Sequence, residues 1–147
     1  MIRRATIADA SRIAEILIFT KRLNYRKIFC NDRVSYVEMK EYPLAKSYID
    51  NSDKLDGIWV YDDEFVKGMI HIDEQQILEL YVDSFFENQG IGSKLVKFAV
   101  EQMNCDFLWV LEKNIKAIQF YQRHGFAITE EKQYEECTTE YIVKMKR

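Results

Sequence analysis

The chain has few helix breakers and few reactive side chains. Its 147 residues include one proline and five glycines, so long elements joined by short loops are expected. The three cysteines, Cys30, Cys105 and Cys137, form no C-x-x-C pair. An odd, scattered set argues against a disulfide framework and against a cysteine zinc site. The two histidines, His71 and His124, are far apart, and no metal is expected. No apolar run approaches ~18 residues, so no transmembrane helix is predicted. Met1 to Ile7 lack the apolar core of a secretory leader, which predicts a cytoplasmic protein.

What is present can build a core. Hydrophobic residues make up 48% of the chain and aromatic residues 14%, which excludes bulk disorder. The length predicts a single domain over residues 1–147. The net charge of −3 is uneven, at +4 over residues 1–50, −7 over 51–105 and 0 over 106–147. The acidic middle disfavours nucleic acid, which wants a basic face. It suits a cationic small amine.

Along the chain, Ile2–Ile7 reads as a short strand. Thr6 and Asp9 fit a capping box. Ala10, Ile13, Ala14, Leu17 and Ile18 recur at helical spacing, predicting a helix to about Leu23. Tyr36–Ile49 is a weaker helical segment in which Pro43 marks a start or a kink. Ile58–Tyr61 and Phe65–Ile72 read as a hairpin around Asp62–Glu64, and Ile77–Val82 as a third strand. Gly90–Met103 is an amphipathic helix with Ile91, Leu95, Phe98 and Ala99 on one stripe. Phe107–Leu111 is a continuous apolar run, expected to be buried on both faces. Asn114–His124 is a helix with Asn114 as N-cap and Gly125 just past its end. Phe126–Lys132 and Thr138–Met145 form a terminal antiparallel pair. The order is β-α-α-β-β-β-α-β-α-β-β, an α/β fold with a mixed sheet. The strand–helix–strand unit around 77–111 implies a parallel pair, and helices should cover both faces.

The organising stretch is Leu78–Val82, the loop Asp83–Gln89, and the helix opening at Gly90-Ile91-Gly92-Ser93. Strand, glycine turn and helix N-terminus can hold a phosphate, because the free N–H groups of the first turn and the helix dipole both favour an anion there. A Walker loop is a poor fit, since no Gly-Lys-Ser/Thr follows. A dinucleotide fingerprint is also a poor fit, since the third glycine is missing and the loop lies midway along the chain.

Two motifs about one strand apart carry a more specific signal. One is Leu80-Tyr81-Val82 with Asn88-Gln89-Gly90-Ile91-Gly92-Ser93-Lys94-Leu95. The other is Asn114, Ala117, Phe120-Tyr121 and Gly125-Phe126. Together they resemble the GNAT superfamily of acyl-CoA-dependent N-acyltransferases, and the element order resembles it over essentially the whole chain. The resemblance implies a mostly antiparallel twisted sheet flanked by helices on both faces. It also implies acetyl-CoA as co-substrate, with the pyrophosphate on the backbone of Asn88 to Ser93. Glu87 stands where the family usually has Arg or Gln, so the anchor is expected to be almost wholly backbone. Leu80, Tyr81 and Val82 would meet the pantetheine arm where their strand splays from Phe107–Leu111.

The same resemblance makes Tyr121 the general acid for the leaving thiolate. Asn114, Ala117 and Phe120 would line the thioester end. Asn114 as a plain N-cap and Tyr121 as a plain core aromatic are the competing roles. The family's usual Glu near the start of the third strand is matched here by Gln76, which cannot act as a base. Glu79, His71 and an ordered water chain remain as bases. Strand alternation puts Glu79 on the face opposite Leu78, Leu80 and Val82. His124 fits a partner for the helix C-terminus. No cysteine falls in either motif, which favours direct attack by the amine. The expected partner is a small-molecule amine or a protein amino group, the acidic middle leaning toward a small cationic amine. Neither nucleic acid nor membrane is expected, and the chain would be a monomer or homodimer. A CoA-binding sensor without catalysis is the alternative.

Overall fold

Residues with alternating burial form strands through the middle and end of the chain, and helical stripes cover them. A computed structural model describes residues 1–147. The strands are β1 (Ile2–Arg4), β2 (Ile58–Asp63), β3 (Phe65–Asp73), β4 (Gln76–Val82), β5 (Phe107–Leu111), β6 (Ala127–Tyr134) and β7 (Tyr141–Lys146). They form one seven-stranded sheet in the order β1-β2-β3-β4-β5-β7-β6. All pairs are antiparallel except β4 with β5. The helices are α1 (Ala10–Phe29), α2 (Glu41–Asp50), α3 (Ile91–Met103) and α4 (Ile115–Arg123).

Two apolar cores form, one on each face of the sheet. Ile91, Leu95, Val96 and Ala99 of α3, with Ile118 and Tyr121 of α4, pack on Ile70, Ile77, Leu108 and Met145. Ile13, Ile16 and Leu17 of α1, with Tyr48 of α2, pack on Val60, Met69 and Tyr81. No helix is long and apolar enough to cross a membrane.

Several boundaries differ from expectation. Helix α1 continues past Leu23 to Phe29 and ends at Cys30, whose φ is +51°. Its second half is held by polar contacts instead of an apolar stripe. Arg22 donates to the carbonyls of Ser35 and Met39 at 2.7 and 2.9 Å and pairs with Glu41. The weaker helical segment divides. Val34–Glu38 is a separate wide turn, and α2 begins at Glu41. Pro43 lies in the first turn of α2, where its missing N–H is not needed, so it marks a start and no kink. Strand β2 extends to Asp63, and the reversal falls on Glu64 at φ +67°. Phe126 precedes β6 as a buried plug, and Thr138 closes the β6–β7 turn by bonding to the Glu135 carbonyl. Strand β5 is not buried along both faces, because Phe107 and Trp109 are half-buried.

Two irregularities matter most for function. First, β4 and β5 pair only at Gln76–Phe107 and Ile77–Leu108. Beyond those residues the strands part, so the β4 edge over 78–82 has no strand partner on that side. Second, consecutive residues His71 and Ile72 pair with Glu79 and Ile77. Leu78 is therefore the extra residue of a β-bulge, and simple alternation fails there. Leu78 is not locked to the Leu80 and Val82 face, which corrects the expected pattern around Glu79.

Candidate active site

The phosphate end is built from backbone. After Val82, Asp83 is held by Arg12 of α1 and accepts from the Phe85 N–H at 2.9 Å. This turns the chain sharply toward α3. Asn88 and Gly90 both take positive φ, at +62° and +79°. Gly90 is the N-cap of α3, with no side-chain cap bond, so the N–H groups of Ile91, Gly92 and Ser93 remain orphans of a first helical turn. A Cβ at Gly90 would meet nothing within 4 Å, whereas one at Gly92 would come within 3.3 Å of the Phe120 ring. Gly90 leaves open space over the helix end, and Gly92 permits close packing of α3 against α4.

Glu87 pairs with Lys116 of α4 at 3.0 Å. The Glu87 carboxylate is thus turned onto a cation of the neighbouring helix. Gln89 does not line the cavity described next.

One cavity of about 740 Å³ runs from this helix end through the parting of β4 and β5 to α1. Its walls include Glu87, Asn88, Gly90–Ser93, Leu78–Val82, Trp109–Leu111, Asn114, Ala117, Phe120 and Tyr121. Both predicted motifs therefore meet in one space. Asn114 caps α4, its side-chain oxygen accepting from the Ala117 N–H at 3.2 Å. The cap role is real, and the amide NH2 remains available as a donor. Tyr121 is 8% exposed and touches Phe120 and Phe126 edge-on, with ring centroids at 5.2 and 5.9 Å. Burial, with the Tyr25 phenol nearby, raises its pKa well above that of a free tyrosine, so Tyr121 is a neutral donor at physiological pH. His124 accepts no role in the cavity; its Nδ1 lies 2.8 Å from the Phe120 carbonyl oxygen at the end of α4.

Glu79 lines the α1 side of the cavity, with Lys21 at 3.4 Å and His71 at 3.8 Å. Burial pushes its carboxyl up, but the neighbouring His71 and the Lys21 charge together outweigh burial and hold it below the usual value. Glu79 is a carboxylate at neutral pH. His71 is not part of the cavity wall and stands behind Glu79.

Sequence reasoning missed Thr20, Lys21 and Asn24 of α1. Thr20, Lys21, Asn24 and Tyr25 line the cavity, together with Ser35 and Met39. A signal existed. Thr20 and Asn24 continue the stripe of Ile13 and Leu17 at helical spacing, so the buried face turns polar there. Glu135 and Glu136, from the β6–β7 turn, also line the cavity.

The acidic middle does not do what its charge suggested. Of the eleven acidic residues in 51–105, only Glu79 and Glu87 line the cavity. Each faces a lysine. The other nine sit elsewhere, so that stretch gives no preference for a cationic acceptor.

A family model described as an acetyltransferase (GNAT) domain matches residues 54–128. The spermine/spermidine N(1)-acetyltransferase of Bacillus subtilis is 29% identical over 72 residues, which is 45% of this chain and 44% of that protein. The chain spans about half the length of the curated relatives it matches. An N-acetyltransferase from Staphylococcus aureus Mu50 superposes with a TM-score of 0.77 at 16% identity, covering 99% of this chain and 98% of that one. The PaiA N-acetyltransferase of Thermoplasma acidophilum, solved in complex with coenzyme A, superposes at 0.58 with 19% identity, covering 100% and 98%.

Proposed function

The chain belongs to the GNAT acetyltransferase family, and from that premise we propose that it moves an acetyl group from acetyl-CoA to a primary amine by direct attack. The observation that carries this reading is the single cavity that joins the α3 N-terminus to Tyr121 through the parted strands. Its residues fit the coenzyme. Orphan N–H groups of Ile91, Gly92 and Ser93 suit a pyrophosphate, and the open space over Gly90 admits it. The unpartnered β4 edge at 80–82 suits the amides of a pantetheine arm.

Bound there, acetyl-CoA would supply an acetyl group activated as a thioester. The chain supplies the proton transfers. Glu79, ionised and facing the α1 side, takes the proton that the acceptor amine must lose, directly or through ordered water, with His71 behind it. As the amine nitrogen bonds to the carbonyl carbon and the C–S bond breaks, Tyr121 gives its proton to the departing sulfur. None of the three cysteines lines the cavity, which supports direct attack over an acyl-enzyme route.

The test is to incubate the protein with acetyl-CoA and a panel of amines and follow free thiol. Thiol release that depends on both the amine and Tyr121 supports the transferase. Coenzyme A binding without thiol release from any amine would favour a sensor, and absence of binding by calorimetry would overturn both.

A further inference from the structure

We propose that the acceptor is a zwitterion, an α-amino acid or a similar small amine bearing its own carboxylate, with Thr20 and Lys21 holding the carboxylate and Glu79 facing the amino group. The inference rests on the acetyltransfer reading and names the substrate class of the same cavity.

Thr20 is 6% exposed, lines the cavity, and its hydroxyl has no hydrogen-bond partner. It is the only buried side-chain polar atom in the chain in that condition. A helical threonine usually bonds back to the preceding turn, and a buried hydroxyl left unpaired is destabilising. A ligand oxygen at this point would satisfy it. Lys21 is the next residue. Its ammonium stands 3.4 Å from Glu79 and 6.0 Å from the Tyr81 ring centroid. That is longer than the ~2.7–2.9 Å of a charge-assisted hydrogen bond, so its donors are poorly used by the protein.

On its α1 side the wall therefore offers one cation, Lys21, beside one anion, Glu79. An amino group and a carboxylate on one small molecule complement that pair. A linear polyamine does not, because an ammonium brought to Glu79 also meets Lys21. Glu135 and Glu136 also line the cavity and disfavour a carboxylate near them. They would also attract a second cationic centre, so a polyamine is the rival acceptor in the test.

Free thiol is followed with acetyl-CoA and three sets of acceptors: the L-amino acids, their α-amides, and spermidine. At least one amino acid should show kcat/KM about ten-fold or more above its own amide. Lys21→Met should bring that amino acid down to the level of its amide through KM, and Thr20→Val should raise KM in the same direction. Amides matching or exceeding their acids throughout, or spermidine exceeding every amino acid, overturns the inference while leaving acetyltransfer intact. No thiol release from any acceptor, despite coenzyme A binding by calorimetry, overturns both.

Discussion

The two ends of the cavity are built in opposite ways. At the α3 end the wall is made of main chain, through Asn88 and Gly90 at positive φ and a first turn of unpaired N–H groups. Side chains there are secondary, and Glu87 is turned onto Lys116. At the α1 end the wall is made of side chains, Thr20, Lys21 and Glu79, brought together from a helix and a bulged strand. A backbone site depends on local dihedrals and tolerates side-chain drift. A side-chain site depends on which faces of distant elements meet, so its chemistry can change while the main-chain end stays fixed.

That contrast can be broken experimentally. The largest effect is expected at the chemical end. Tyr121→Phe should lower kcat on the order of 10²-fold, the usual size of one general-acid contribution, while calorimetry shows coenzyme A binding little changed. Turnover equal to wild type with saturating amine would remove Tyr121 from the chemistry.

Next is pH. Burial raises the phenols of Tyr81 and Tyr121 and takes Tyr48 to about 12. A raised folded-state pKa means that the stabilisation is fully present below the unfolded value and is lost as pH rises through the folded one. Chemical denaturation should therefore find stability flat up to the unfolded tyrosine pKa of about 10 and falling above it, by ~1.4 kcal/mol per pH unit for each such group. The same ordering keeps Tyr121 protonated and Glu79, with its lowered carboxyl, ionised across the neutral range. The acid limb of kcat/KM should accordingly follow the acceptor amine.

At the backbone end, Gly90→Ala forces a side chain into the left-handed region at a cost of about 1–2 kcal/mol. Its Cβ enters the space over the helix end. Coenzyme A affinity should fall about ten-fold, with kcat at saturation nearly unchanged. The smallest effect belongs to Glu87→Ala. A carboxylate already neutralised by Lys116 should alter coenzyme A affinity by less than about three-fold, and a loss beyond ten-fold, ~1.4 kcal/mol, would show that the anchor is not a backbone one.

Reading local structure from sequence worked where the determinant was local. The Gly90-Ile91-Gly92-Ser93 turn, the Asn114 cap and the Gly125 terminus each depend on a few adjacent residues, and the structure has all three. It failed where position depends on long-range pairing. Strand alternation could not show that Leu78 is an extra residue, because the bulge is defined by β3 across the ladder. Net charge over 51–105 could not show that nine of its acids face away from the cavity. The end of α1 was misread because Arg22 stabilises it through carbonyls of a later segment.

The sequence by itself determined the element order, the family, and the glycine turn that opens α3, since propensity, capping and glycine placement act within one or two turns of chain. Only the tertiary structure decided where β4 and β5 part, that Lys21 stands beside Glu79, and that Thr20 is buried without a partner. The last two arise from the packing of α1 on β3 and β4, where residues far apart in the chain share one space and set each other's charge.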